Sequence, residues 1–465
     1  MSHRMAAGAT GAVLICPIIP EMAVVFPNMP VTVTPIGLPG ALLLPAMETT
    51  PTQIRDRLGL LADLACGFLE SGQSGWSTKQ VLSDDAQALG LDGFHCTTVG
   101  RVVIVEAHLP DGSNVTVTTC ADALDLIDCG RSLRLHRLAA RLRDAGDQAA
   151  DRLDDLRQEV RDLRAAVAPW WAVTVGTTLL AFVIAMQLGV GWQAWVTASA
   201  VQVVTALAGQ LLGRLHLPHL FTIAVQSSVA GAVATVLVKA GAVDPVGAAA
   251  AIAVNWLLLI PLPQIIGAMN DIIDADYLTA VTRTGSVAVT GLGITIGGAL
   301  TFQLGELLHM EHPLLDELPG LPWYFALVFS ALGAIGNALA NGGWLKLLVP
   351  ATVIGVITGA ANQALSVAAG FNTLWANAGA AIVLGAVSMV MARRTGYPQH
   401  VFALMGITGA LLPGIAVVSG ILLQMGGQSG AAQFGSAATI CVALGTGVAF
   451  GAFLTQRLLR LPAQP

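Results

Sequence analysis

Ten apolar stretches, each long enough to cross roughly 30 Å of hydrocarbon as a helix, occupy most of this 465-residue chain. They fall at about 169–189, 191–213, 218–240, 244–267, 284–304, 321–341, 346–368, 371–392, 400–424 and 435–456. Charge is segregated to match: the 288 residues from Pro169 to Gln456 hold 14 Asp, Glu, Lys or Arg, against 36 in the other 177. With 55% apolar residues and a mean hydropathy of +0.72, this is not an ordinary soluble protein but a soluble region joined to a membrane region. Its 51 glycines suit helices whose backbones approach closely in lipid. A net charge of −6 without a dense basic patch excludes nucleic acid as a partner.

Residues 1–52 read as an irregular leader, because Pro17, Pro20, Pro27, Pro30, Pro35, Pro39 and Pro45 interrupt any spanning helix. Residues 53–168 read as a small α+β cytoplasmic domain. Leu58, Leu61, Leu64, Ala65 and Phe68 recur near helical spacing up to a Gly-Gln-Ser-Gly break at 72–75, and a second helix runs to Leu89. From Phe94 the period changes: Val102, Ile104 and Glu106 lead through Pro-Asp-Gly-Ser at 110–113 into Val115 and Val117, a β-hairpin pattern. Leu138 to Val167 is again helical, with Leu153, Leu156, Val160, Leu163 and Val167 on one seam. That seam reads as a helix packed on its own domain and feeding the first span, or as a dimerising coiled coil. His95, Asp111 and Ser113 lie close together but carry no catalytic motif, and turn chemistry accounts for them. The six cysteines show no metal-ligand or disulfide spacing, so neither metal nor cofactor is expected.

Orientation follows from Lys and Arg. Arg214, Arg283, Lys346, Arg393, Arg394, Arg457 and Arg460 follow even-numbered spans, whereas the odd-numbered connections hold only Lys239. Both termini are therefore expected in the cytoplasm of a multi-pass plasma-membrane protein. The segment 305–320 reads as an external loop carrying Glu306, Glu311, Asp316 and Glu317. A shift of about 152 residues lays 169–304 on 321–465: Pro169-Trp170-Trp171 falls near Pro322-Trp323-Tyr324, and Leu259-Ile260-Pro261 on Leu411-Leu412-Pro413. Five is odd, so the expected fold is an all-α membrane domain of ten transmembrane helices in two inverted five-helix repeats, an arrangement that recurs in secondary transporters.

Pro261 and Pro413 fall well inside spans, where each removes a helix hydrogen bond, and Pro263 and Gly414 weaken the same turns. Such broken helices could hold the charged ends of a zwitterion. Ionisable groups are nearly absent from the spans except at the end of the fourth, where Asn270, Asp271, Asp274 and Asp276 precede Arg283. If helical, Asp271 and Asp274 share a face and Arg283 lies some turns on. A carboxylate there could bind a substrate ammonium or take a coupling proton; the competing reading is a solvated loop with capping and a surface ion pair. Amides such as Gln226, Gln264, Asn255 and Asn337 read mostly as interhelical hydrogen-bond partners.

With these residues in view, the chain resembles the threonine/serine exporter family. The resemblance runs from about residue 55. It lies in Leu-Glu-Ser-Gly at 69–72, Ala-Leu-Gly-Leu at 88–91, the amphipathic helix before the first span, Leu259-Ile260-Pro261 with Asn270-Asp271, Asp276 and Arg283, and Leu411-Leu412-Pro413-Gly414. Leu262 stands where the family commonly has Gly, and Gly189-Val190-Gly191-Trp192 is a reduced form of a Gly-rich motif. The resemblance implies export of threonine, serine or a similar small molecule driven by the proton motive force, with dicarboxylate export as the nearest alternative and a membrane-anchored enzyme as a more distant one. The lipid bilayer and a coupling proton are then its partners, and homo-oligomerisation stays open. Pro413→Ala is expected to straighten the ninth span and lower efflux from cells; unchanged efflux would remove that proline from the mechanism.

Overall fold

The structure is a computed structural model. It describes residues 50–459 except 110, 125–126, 147, 149–151, 190, 216, 309–322, 412–415, 418, 421–422 and 424–427. The leader to residue 49, most of the acidic loop, and Pro413 and Gly414 thus lie outside the described residues.

The polar part begins with α1 (Pro51–Glu70), whose start is set by a capping box: the Thr50 hydroxyl accepts from the Gln53 N–H while the Gln53 side chain accepts from the Thr50 N–H. Helix α2 (Gly75–Ala88) follows a four-residue turn and is capped by Ser74. Three antiparallel strands come next, β1 (His95–Val99), β2 (Val102–His108) and β3 (Asn114–Cys120), in the order β1-β2-β3. The hairpin expected from Val102 to Val117 is present, and β1 is an additional strand that pairs Val99 with Val102 across a two-residue turn at Gly100 (φ +58°). Val103, Val105 and Ala107 alternate inward on β2 and are buried with Leu58, Leu61 and Phe68 of α1.

Two helices replace the single one expected over 138–167, α3 (Cys129–Ala145) and α4 (Leu153–Ala165), because Gly146 at φ +52° ends the first. Val160 is fully buried and Leu153, Leu156 and Leu163 pack on the same core, so the seam serves its own domain. Arg164 fastens α4 to α1 through a two-point contact with Glu70, at 2.7 and 3.1 Å. Asp111 and Ser113 close their own turn, with Ser113 donating its N–H and hydroxyl to the carboxylate, while His95 sits on β1 opposite Glu106.

The apolar part comprises α5 (Trp170–Gln187), α6 (Trp192–Arg214), α7 (His219–Lys239), α8 (Pro245–Leu259), α9 (Leu262–Ile273), α10 (Tyr277–Leu307), α11 (Trp323–Ala340), α12 (Leu345–Gln363), α13 (Thr373–Thr395), α14 (Gln399–Gly406) and α15 (Ala431–Leu458). Among the described residues, eight helices are long and apolar enough to cross a membrane, and the bent pair α8–α9 makes a ninth. The stretch expected at 400–424 is helical over Gln399–Leu411, with π geometry over Ile407–Leu411. Helix α10 starts at Tyr277 rather than 284 and runs to Leu307, into the expected loop. Asp276 caps it, Thr279 of the first turn accepts from the Gly100 N–H of the polar part, and Thr282 and Thr284 return their hydroxyls to the helix backbone.

Helix pairings recur along the chain. α5 packs on α6 and α8 as α11 packs on α12 and α14, α6 on α8 as α12 on α14, and α7 on α10 as α13 on α15. Amides tie neighbouring helices: Asn255 donates to the Ala198 carbonyl, Gln226 to the Thr205 carbonyl, and Asn337 to the Thr408 hydroxyl and Leu404 carbonyl. Where α5 crosses α11, a Cβ on Gly176 would lie 2.3 Å from the Ala340 nitrogen and 2.7 Å from the Gly336 carbonyl oxygen, so this crossing needs glycine. Gly176→Leu is expected to lower the thermal midpoint of the detergent-purified protein by many degrees. Gly213→Ala, with nothing within 4 Å of its new Cβ, should leave the midpoint unchanged or slightly higher.

Candidate functional site

The bend between α8 and α9 aims the site. Ile260 and Pro261 leave helical geometry (ψ 124° and 79°), and the axis turns by 45°. Pro263, expected to weaken this turn, instead lies in the first turn of α9, where its missing N–H would have no intrahelical partner. Helix α9 then ends at Ile273, Asp274 and Ala275 form a tight turn, and Asp276 starts α10. Ala275 takes φ +61°, unique among non-glycine residues of the described chain, a conformation that costs about 1–2 kcal/mol for an L-residue. This reversal carries Arg283 back alongside Asp271.

Asp271 and Arg283 form an ion pair whose side chains are both fully buried, Nε to Oδ2 at 2.9 Å. The expected alternative, a solvated surface pair, is thereby replaced: the polar domain covers it. The turn between α1 and α2 supplies the remaining partners. The Gln73 carbonyl accepts from Arg283 Nη2 at 3.0 Å, and the Gly75 N–H donates to Asp271 Oδ1 at 3.1 Å. Gln264 of α9 accepts from Arg283 Nη1 at 3.4 Å and donates to the Leu124 carbonyl. Every nitrogen of the guanidinium is thus engaged, as burial of a charge requires.

The other carboxylates also meet the polar domain. Thr98 donates its hydroxyl to Asp276 at 2.7 Å, Lys79 lies 3.5 Å from the same carboxylate, and Ser74 donates to Asp274 at 3.4 Å. A side chain at Gly75 would come within 2.4 Å of Asp276 and 2.6 Å of Thr98, so the close approach depends on that glycine. The Leu-Glu-Ser-Gly segment sets the turn: Glu70 is held by Arg164, Ser71 donates its hydroxyl to the Gly67 carbonyl, and Gly72 adopts φ +86°. His136 of α3 contacts Gln73 at 2.9 Å, and burial lowers its imidazole to about 3, which keeps it neutral.

A cavity of about 550 Å³ opens beside this pair. Asn270 lines it from α9 and Asp274 from the turn that follows, His400 and Gln399 from α14, Thr446 and Phe450 from α15, and Ser74 and Trp76 from the polar domain. Ile266, Ile407 and Gly445 are shared with a narrow apolar recess reaching Leu262, so the recess adjoins the cavity and extends toward the bend. No Lys or Arg is among the described lining residues. Burial, reinforced by the neighbouring Asp271, raises the Asp274 carboxyl to about 6.

The structure therefore brings Asn270, Asp271, Asp274, Asp276 and Arg283 into one region, while Pro261 and Pro263 lie at the far end of α9. Sequence reading did not identify Gln73, Ser74, Trp76 or His400. A histidine opening an apolar stretch was a usable signal for His400. The Gly-Gln-Ser-Gly break carried none beyond a turn. No cluster of metal-ligating side chains occurs among the described residues.

A multi-helix apolar bundle with a buried charge pair and beside it a cavity that carries a few polar groups is the architecture of a multi-pass membrane transporter. The chain belongs to the threonine/serine exporter family: residues 60–305 match the family profile described as "Putative threonine/serine exporter". It is similar to the "Probable threonine/serine exporter" of Mycobacterium tuberculosis, 28% identical over 419 residues that cover 87% of this chain and 77% of that protein. It is also similar to the "Threonine/serine exporter" of Corynebacterium glutamicum, 26% identical over 460 residues, 91% of this chain and 87% of that protein. No solved structure matches the chain. The family is one of transporters, which sets aside the membrane-anchored enzyme.

Removing one partner of a buried pair costs about 3–5 kcal/mol. Arg283→Gln is accordingly expected to lower the thermal midpoint steeply, and Asp271→Asn/Arg283→Gln to recover much of the loss. A double variant no more stable than Arg283→Gln would show that the pair is not the unit.

Proposed function

We propose that the protein is a secondary active exporter of small amino acids of the threonine/serine type, driven by the proton motive force. In this reading it works by alternating access between two inverted five-helix halves in the plasma membrane, with both termini cytoplasmic. The observation that carries the substrate class is the cavity, with one carboxylate, four amides and three hydroxyls but no Lys or Arg along its described lining. An ammonium group is attracted to Asp274 there, and a substrate hydroxyl can be matched by Asn270 or Thr446. A dicarboxylate such as succinate would bring two negative charges to a site that already holds one, with Arg283 committed to Asp271. The dicarboxylate alternative is therefore disfavoured on charge.

The recurring helix pairings support two equivalent halves. Orientation draws support from docking: the polar domain meets the connections after the expected fourth, sixth and eighth spans. Asp276 bonds Thr98, the Asn341 carbonyl accepts from the Cys129 N–H, and Tyr397 packs in one cluster with Leu133. These even-numbered connections carry the Lys/Arg excess that marks the cytoplasmic side.

Asp274 provides a simple coupling device. With its carboxyl near 6, a proton and a substrate ammonium compete for one site, so each weakens the other's binding, and protonation from the outward-facing state expels the substrate. The sign is definite. A raised carboxyl adds stability that is fully present below about pH 4 and is lost as pH rises through about 6, while substrate affinity gains over the same interval. In vesicles with an imposed pH gradient, radiolabelled threonine should move and succinate should not, and threonine affinity from the cytoplasmic side should fall below about pH 6. Asp274→Asn should flatten that pH dependence. Succinate transport without threonine would overturn the substrate class, and an unaltered pH profile in the variant would remove Asp274 from coupling.

A further inference from the structure

The polar domain does more than cover the ion pair, since it also builds one wall of the cavity. Ser74, Trp76 and Ser77 face the cavity at the start of α2, and Phe450 and Phe453 face it from α15. Trp76 is 45% exposed, between buried Gly75 and half-buried Ser77, so much of the indole is free of protein contact where it lines the cavity. Ser77 accepts a hydrogen bond from Gln73 Nε2 at 3.1 Å, which leaves its own O–H as a donor at the cavity edge.

We propose that Trp76 and Ser77 are specificity-determining residues for the exported molecule, and that the polar domain is a fixed part of the transport site. This rests on the reading of the cavity as the substrate's vestibule. A rigid indole and two phenyl rings on one cavity lining limit the side-chain volume that fits. A hydroxyl donor at the edge favours a substrate that carries its own hydroxyl, because a site built to hydrogen-bond rejects an isostere lacking the group. The wall stays in place during transport because its turn supplies the Gln73 carbonyl and the Gly75 N–H that complete the buried pair, and because Thr98 and Ser74 bond the neighbouring carboxylates.

The test uses the full chain in vesicles and compares initial rates for threonine, valine and leucine. Trp76→Ala is expected to raise the leucine-to-threonine ratio of kcat/KM about tenfold, and Ser77→Ala to lower the threonine-to-valine ratio by about the same factor. Phe450→Ala is the membrane-side comparison. If it shifts the ratios while Trp76→Ala and Ser77→Ala do not, the vestibule stands and the inference falls. If wild type carries threonine and none of the three variants shifts a ratio, the vestibule reading falls as well. Should Trp76→Ala be lost from the membrane, Trp76→Phe is expected to give a smaller shift of the same sign, and no shift would count against the inference. A second measurement tests whether the wall is fixed. A Cβ at Gly100 would lie 3.5 Å from that of Thr282, within disulfide range. Oxidised Gly100→Cys/Thr282→Cys should keep wild-type selectivity and rate. With cross-linking confirmed by mass spectrometry, loss of transport on oxidation with recovery on reduction would overturn the fixed wall.

Discussion

A buried charge in a region with little water must find every partner in the protein itself, and the Asp271–Arg283 pair imposes that requirement on the molecule. Two helices of the apolar part bring the charges together, but their own residues satisfy only part of the guanidinium and carboxylate. The remainder comes from the backbone at Gln73 and Gly75, about two hundred residues earlier in the chain. The polar domain is thereby bound to the membrane part through obligatory hydrogen-bond partners, which are harder to forgo than an apolar contact of similar size. Burial of such a pair is weak evidence for net stability. Its consequence is specificity of arrangement: one docking geometry satisfies both charges.

The helices that present this pair depend on small residues and one bend. Gly176 and Gly336 let α5 and α11 approach to backbone contact, and Gly267 leaves space for the guanidinium, which a side chain there would meet at 2.8 Å. The break at Ile260–Pro261 redirects α9 so that its last turn, with Asn270 and Asp274, faces α14 and α15 across the cavity. On our reading the cavity is where an amino acid and a proton compete for Asp274, and the strained Ala275 turn holds that carboxylate against the polar domain.

Much of this was legible in sequence, for identifiable reasons. Apolar runs announce helices because a bilayer leaves backbone groups no other partners, and most of the expected spans correspond to helices. A proline inside such a run marked the bend. Carboxylates next to an apolar stretch are costly, so Asp271, Asp274 and Arg283 stood out as candidates. Other features left no local trace. The split of 138–167 into two helices turned on the conformation of Gly146. Strand β1 is short and mostly exposed. The early start of α10 depended on polar residues whose partners lie in another part of the chain. Gln73, Ser74 and Trp76 looked like a turn and a helix start, and their importance comes only from what they touch.

The division of the chain into a polar and an apolar part, the many membrane crossings of the apolar part, and the few charges at its edge can all be read from residue types in order. These follow from transfer free energies, which are properties of residue types and need no neighbours. That Asp271 and Arg283 are buried rather than solvated, that Asp274 meets open cavity while they are closed off, and that the polar domain supplies a wall emerge with the packed chain. Those outcomes depend on desolvation and hydrogen-bond satisfaction. Both are set by which distant groups come within about 3 Å of one another, and linear spacing does not encode that distance.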